Sequence, residues 1–275
     1  MIHRIVVKIG TSLLTRDGGH LDRTRMARFA KELAQINKSG VEVVLVSSGA
    51  IAAGMGELGW KKRPPELAKK QAAAAMGQPK LMETYRQFFR AKGVKVAQVL
   101  LTREDFENHA RRHNAQATLE TLLAAGVIPI INENDSVGVE EIRVGDNDTL
   151  AAFVAVKVKA DLLVLLTDVD GLMTPPPAGQ RPSGPGVAGG GVSRHPHHGD
   201  GTLIRQIDHI GPAIEAIAHH APGSGGGTGG MMTKIRAARH ATTHGVAMAI
   251  ASGKKAGVLS RLVRGEPSGT YFSPH

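Results

Sequence analysis

Residues 5–12 read Ile5-Val6-Val7-Lys8-Ile9-Gly10-Thr11-Ser12, and the fold follows from how this stretch begins and how it ends. Ile5 to Val7 is a short β-branched apolar run of the kind that fills a buried strand. The lysine, glycine and hydroxyl residues that follow it suit a turn. Beyond the turn the period changes: Met26, Phe29, Ala30, Leu33 and Ile36 recur at three- and four-residue steps, one face of a helix, with Asp22 placed to cap it. The same alternation continues along the chain, with strands expected at Val41 to Val46, Val94 to Leu100, Val127 to Ile131, Leu162 to Leu166 and Ala247 to Ala251. Helix-length segments between successive strands call for crossovers, so the economical topology is a parallel sheet covered on both faces by right-handed connections. The expected fold class is α/β, a three-layer αβα sandwich with a mainly parallel central sheet. Pro129 cannot donate a ladder hydrogen bond and is expected at a strand start, an edge or a bulge.

Four polar clusters begin where an expected strand ends. Lys8 to Ser12 follows the first strand, Ser47-Ser48-Gly49-Ala50 the second, Asn132-Glu133-Asn134-Asp135 the fourth and Thr167-Asp168-Val169-Asp170-Gly171 the fifth. Open α/β sheets bind ligands at the carboxyl ends of their strands, so these segments are expected to line one crevice. Gly10 and Gly49 let the backbone approach a ligand, and the Ser48-Gly49-Ala50 turn offers amide donors and a helix N-terminus to a phosphate or carboxylate. The plain alternative is an ordinary strand-to-helix turn with Ser48 as N-cap.

Two further segments carry polar chemistry. Gly223 to Lys234 is a glycine-rich loop opening a helix, with Lys234 one turn inside, and resembles a phosphate clamp; a flexible linker is the bland reading. It holds a formal GxGxxG at Gly225, Gly227 and Gly230, but no strand immediately precedes it, which argues against a dinucleotide fold, and the chain has no GxxxxGK[ST]. Val144 to Leu150 concentrates Asp146, Asn147 and Asp148 before a helical stretch, as a capping turn or a site. Asp135 could accept from an ammonium group while the Asn147 amide donates to carboxylate oxygens, a pairing suited to an α-amino acid.

The 275 residues allow one large α/β domain or two tightly joined lobes. No apolar run is long enough to cross a bilayer and the N-terminus lacks the apolar core of a signal peptide, so a soluble, cytoplasmic protein without membrane attachment is expected. The absence of cysteine excludes disulfides and thiolate metal sites. The formal net charge of +10 suits anionic ligands, but the basic residues are scattered and aromatics are only 3%, so nucleic-acid binding is not expected as a main role. Thr174 to Gly201, rich in proline, glycine and histidine, reads as a mobile surface excursion, and its His195, His197, His198 and Asp200 as solvated groups. His109 and His113 lack an intervening HExxH glutamate and read as a solvated helix face; no metal is assigned to either histidine group.

Val7 to Ser12, Ser47 to Gly54, Ile131 to Asp135, Val144 to Asp148, Leu166 to Asp168 and Thr228 to Lys234, in that order, resemble the amino-acid kinase superfamily, and within it the glutamate-phosphorylating branch. The resemblance implies transfer of the ATP γ-phosphoryl group to the side-chain carboxylate of L-glutamate, the first step of proline biosynthesis, with Mg²⁺ accompanying ATP. It implies Lys8 and Lys234 as catalytic lysines and Asp148 as the residue orienting them. Ser48, Gly49, Ala50, Asn132, Asp135, Asp146 and Asn147 would hold glutamate. Lys8, Gly10, Thr11, Thr167, Asp168, Thr228, Gly229, Gly230, Met231, Met232, Thr233 and Lys234 would contact ATP.

The resemblance further implies a homo-oligomer, proline as feedback inhibitor and a glutamyl-phosphate reductase as physical partner. Many members carry a C-terminal RNA-modification-type (PUA) domain; here one kinase domain over 1–275 is expected to stand alone, with residues 1–160 on the substrate side and 161–275 on the nucleotide side. Two departures concern the nucleotide half: the long Pro/Gly/His segment and the extra glycines before Thr228. The alternatives are kinases of the same fold acting on N-acetylglutamate, aspartate, carbamate or UMP, or a non-catalytic ligand sensor or nucleic-acid-binding protein. Asp135 favours an unblocked amino acid, and intact Lys8, Asp148 and Lys234 favour catalysis.

Overall fold

A computed structural model describes residues 2–16, 19–102, 104–138, 147–175, 201–221 and 230–275. Its centre is β1 (Arg4–Ile9), which pairs in parallel with β2 (Glu42–Ser47) on one side and β5 (Leu162–Thr167) on the other. Outside β2 lie β4 (Ile128–Glu133) and then β3 (Val96–Leu101). Outside β5 lies β7 (Ala247–Ser252), giving with the short strands β8 (Thr270–Phe272) and β6 (Gln206–Ile207) the order β3-β4-β2-β1-β5-β7-β8-β6. The chain first builds outward from β1 to one edge and then returns to build the other. That reversal creates a topological switch point at the carboxyl end of β1, where Ile9 pairs with both Ser47 and Leu166.

Alternation along the strands divides the core between two faces. Val6, Val44, Val46, Ile131, Leu163, Leu165, Met248 and Ile250 pack with residues of α6 (His109–Ala124), α7 (Asn147–Lys157) and α9 (Met231–Thr242). Ile5, Val7, Ile9, Val43, Leu45, Ile130, Val164 and Ala249 pack with α2 (Arg23–Lys38), α4 (Leu67–Arg90) and α10 (Val258–Val263). The strands read as nearly continuous apolar runs because both faces are covered. Each fully buried Val, Leu or Ile contributes on the order of 1.5–3 kcal/mol, offset by the entropy of ordering the chain.

Local expectations are met with small shifts. Asp22 Oδ1 accepts from Arg25 N and caps α2. Pro129 is the second residue of β4 and pairs with Ala97 of β3, while the pairing to β2 starts at Ile130, so its missing N–H falls at the strand start. His109 and His113 are exposed on α6.

The sequence reading missed the two short strands beyond β7. β8 (Thr270–Phe272) runs antiparallel to β7, and β6 (Gln206–Ile207) pairs parallel to β8. Both are too short for a periodic pattern, and tertiary pairing alone specifies them. Among the described residues no helix is long and apolar enough to cross a membrane.

Candidate active site

Lys8 shares a strand face with Val6, which turns it toward α7 and α9. The first turn of each of those helices supplies one partner. Asp148, the second residue of α7, places Oδ1 2.5 Å from Lys8 Nζ and Oδ2 3.0 Å from Lys234 Nζ. Thr233 Oγ1 also donates to Asp148 Oδ2, at 3.1 Å. All three charged side chains are removed from water: Lys8 and Lys234 are each 6% exposed and Asp148 0%. Burial by itself would raise the Asp148 pKa, but the charges and hydrogen bonds of Lys8 and Lys234 outweigh it and hold the carboxyl below its usual range. Two lysines around one carboxylate leave an excess of positive charge at the switch point. Such a centre is completed by an anion.

The second half of the crevice lies between β1, β2 and β4. Gly49, at φ 103°, takes the left-handed turn that ends β2 and starts α3 (Ala50–Glu57), and it caps that helix without a side-chain hydrogen bond. Ser48 is therefore not the N-cap. Its Oγ instead accepts from Asn147 Nδ2 at 2.8 Å. Asn147 Nδ2 also donates to Ser47 O at 3.2 Å and Asn132 Oδ1 at 3.0 Å, tying the ends of β2 and β4 to α7. Below them, Ser47 Oγ and the buried Tyr85 hydroxyl are 2.9 Å apart, and burial pushes the Tyr85 pKa well above its usual value. Asp135 is half-buried in the turn after β4. Asn147 has committed its amide hydrogens to protein acceptors, while its Oδ1 is buried without a hydrogen-bond partner among the described residues. The group left over is an acceptor, the reverse of the donor expected from sequence.

On the other side of β1, Gly10 N donates to Leu166 O, Thr167 is buried at the end of β5, and its Oγ1 donates to the exposed Asp168. Gly230 is the N-cap of α9, followed by buried Met231 and half-buried Met232 and Thr233. Thr11 opens the four-residue α1 (Thr11–Leu14) and is exposed, with its carbonyl bonded to Thr15 N. Asp146, Thr228 and Gly229 lie outside the described residues, as do 176–200 with the histidine cluster and the glycine run 222–227.

One segment at this edge was missed from the sequence. The loop after β7 reaches across to β5, with Gly253 N donating to Thr167 O at 2.8 Å and Lys255 Nζ 2.9 Å from Asp170. Arg28 of α2 holds it from behind by donating to the carbonyls of Gly253 and Lys254. The signal was available: this loop starts at a strand's carboxyl end like the other clusters, but its lysines and glycines resemble any polar turn.

A doubly wound α/β sheet with opposed lysines at its switch point, beside a cluster of polar side chains on the adjacent strand ends, defines a class of proteins that bind anionic small molecules at the carboxyl ends of the strands. The family profile narrows this class. The chain belongs to the amino acid kinase family, whose description matches residues 3–183. It is 49% identical over 271 residues to the glutamate 5-kinase of Moorella thermoacetica, covering 98% of this chain and 67% of that one. It is 50% identical to the glutamate 5-kinase of Herpetosiphon aurantiacus, covering 98% of this chain and 68% of the relative. The glutamate 5-kinase of Symbiobacterium thermophilum is 47% identical, and there the match spans 98% of this chain and 95% of the relative. Among solved structures, N-acetylglutamate synthase from Neisseria gonorrhoeae, complexed with coenzyme A and N-acetyl-glutamate, superposes with a TM-score of 0.68 at 19% identity. That match covers 99% of this chain and 59% of the other, and it speaks to the fold alone.

Proposed function

We propose that the chain is a kinase that transfers the γ-phosphoryl group of ATP to the γ-carboxylate of L-glutamate, giving γ-glutamyl phosphate and ADP, the first step of proline biosynthesis. The observation that carries this reading is the buried Lys8–Asp148–Lys234 centre with its excess positive charge. Identities of 46–50% to relatives named glutamate 5-kinase support the choice of substrate.

A carboxylate oxygen is already nucleophilic, so the reaction needs alignment and charge stabilisation more than a general base. The substrate oxygen attacks the γ-phosphorus as the bond to the β-phosphate oxygen breaks. Lys8, reaching in from β1, and Lys234, from the start of α9, stabilise the charge spread over the transferring group, and Asp148 fixes the separation of the two ammonium groups. On one side, Ser48, Gly49, Ala50, Asn132, Asp135 and Asn147 hold glutamate, with Asp146 as a further contact. On the other, Gly10, Thr11, Thr167, Asp168 and Gly230 to Thr233 hold ATP, with Thr228 and Gly229 continuing the loop.

Among the described residues no cluster of three histidine or carboxylate side chains could hold a metal by itself. The fit is to Mg²⁺ carried by phosphate oxygens, which supplies further charge neutralisation when bound; Asp168 at the nucleotide edge is the nearby carboxylate to assist. We further place the reaction in the cytoplasm, within one kinase domain whose residues 1–160 serve glutamate and 161–275 serve ATP. A homo-oligomer, proline inhibition and transfer of the labile product to a glutamyl-phosphate reductase complete the reading.

The test is ATP- and Mg²⁺-dependent hydroxamate formation with hydroxylamine, comparing L-glutamate, N-acetylglutamate and aspartate. Hydroxamate from glutamate well above the other two is the expected result. No product from glutamate, or a preference for N-acetylglutamate, refutes the assignment.

A further inference from the structure

Asn132 continues into the protein as a chain of side-chain amides that the proposed ligand contacts do not include. Asn132 Nδ2 donates to Gln78 Oε1 at 2.9 Å, and Gln78 Nε2 donates to Gln98 Oε1 at 2.9 Å. Gln78 lies on α4 and is buried, Asn132 ends the buried part of β4, and Gln98 is on the edge strand β3.

Backbone groups fix the polarity of this chain. The backbone N–H of Glu133 can only donate, and it lies 2.9 Å from Asn132 Oδ1, so that atom of Asn132 is the oxygen. The carbonyl of Ser47 can only accept, so the Asn147 atom 3.2 Å from it is the nitrogen, which also faces Asn132 Oδ1 at 3.0 Å. Asn132 is thereby obliged to present its own nitrogen to Gln78, and Gln78 its oxygen to Asn132. At the far end of the run, Asn147 is left with a buried oxygen that has no donor among the described residues. A buried acceptor left without a donor is destabilising, and a ligand that brings an N–H recovers the loss.

We propose that Gln78 is a positioning residue for recognition of the substrate's free amino group: by holding Asn132 it holds Asn147, so that Asn147 Oδ1 stands ready to accept from an α-ammonium. This rests on the glutamate reading above. Glutamate supplies that donor, whereas glutarate, identical but for the missing amine, does not. Gln78 is buried and bonds to Asn132 and Gln98 rather than to the lysine centre, so its effect belongs in binding of the amino acid and not in the phosphoryl-transfer step.

The experiment compares wild type with Gln78→Met, which keeps length and removes both hydrogen bonds, and Gln78→Glu, which keeps an acceptor toward Asn132. Hydroxamate kinetics give KM for glutamate and for ATP, kcat, and the preference for glutamate over glutarate. Gln78→Met is expected to raise the glutamate KM about tenfold, to leave the ATP KM within about twofold, and to shrink the glutamate preference by the same tenfold. Gln78→Glu is expected to stay within about threefold of wild type.

An unchanged glutamate KM in Gln78→Met overturns the proposal, and so does a parallel rise in both KM values, which marks general loosening. Should Gln78→Met fail to fold, Gln98→Met removes the next link, and the absence of any rise in glutamate KM, where about threefold is expected, overturns it equally. Wild type that yields no product from glutamate sinks the functional reading itself, a result distinct from active wild type with an indifferent Gln78→Met.

Discussion

Gly77 of α4 lies against the backbone of Gly54 in α3 so closely that a Cβ on Gly77 would stand 2.3 Å from Gly54 N and 1.9 Å from Ala50 O. The reverse holds as well: a Cβ on Gly54 would stand 1.7 Å from Ala73 O. Backbone cannot yield as a flexible side chain does, so the two helices cross with no side chain between them. The contact connects packing to the site, because Ala50 opens α3 directly after the Ser48-Gly49 turn and Gln78 follows Gly77.

Gly77→Ala is therefore expected to destabilise the fold by more than about 2 kcal/mol, despite the gain of about 1 kcal/mol in helix propensity, and to raise the glutamate KM by displacing the turn. Urea denaturation with hydroxamate kinetics measures both. A variant as stable as wild type would show that the helices separate without strain.

The crossing also shows where sequence reading stops. The six longer strands, their parallel pairing and the strand-end clusters were legible because apolar period and turn residues are local properties: Val6 and Lys8 share a face by alternation, and Asp22 caps the helix it precedes. The burial of Lys8 and Lys234 around Asp148 joins residues 140 and 86 positions apart, and no period encodes that distance. Resemblance supplied it. Gln78, Gln98 and Tyr85 were invisible for a related reason, since each looks like an ordinary helix or strand residue until the fold brings Asn132 beside Gln78, Gln78 beside Gln98 and Ser47 beside Tyr85.

The two charged partners of the lysine centre are expected to fail differently. Lys234→Ala leaves Asp148 paired with Lys8 at 2.5 Å, so stability should change by no more than about 1–2 kcal/mol while kcat falls at least 10²- to 10³-fold. Asp148→Asn leaves two buried lysines facing one neutral amide and should cost about 3–5 kcal/mol of stability as well as activity. Denaturant midpoints with kcat for both variants decide the matter; equal destabilisation by the two would refute the assignment of Asp148 as the shared counter-ion.

Asp148 also fixes a pH dependence. Its folded pKa lies below the ordinary value of 3.8, so its contribution is present in full above that value and disappears as the pH falls through the lower, folded one. The acid limb of wild-type stability should accordingly be steeper below about pH 4 than that of Asp148→Asn. Parallel acid limbs in equilibrium denaturation would show that Asp148 titrates alike in both states.

His240 of α9 is expected to act nearer neutral pH. Its ring meets Phe153 of α7 edge-on with centroids 4.4 Å apart, and His244 lies 4.5 Å away. Burial first, then the nearby His244 and Lys157, lowers its pKa from 6.5. The unfolded chain takes up this proton more readily, so stability falls as the pH drops below about 6.5 toward the folded pKa, and is flat above it as far as this group is concerned. His240→Gln keeps a polar side chain without the titration and should flatten the stability profile just below about pH 6.5 relative to wild type. Proton NMR of the imidazole gives the direct check: the His240 midpoint should fall below 6.5, and a midpoint at or above that value would mean that burial does not keep the ring from charging.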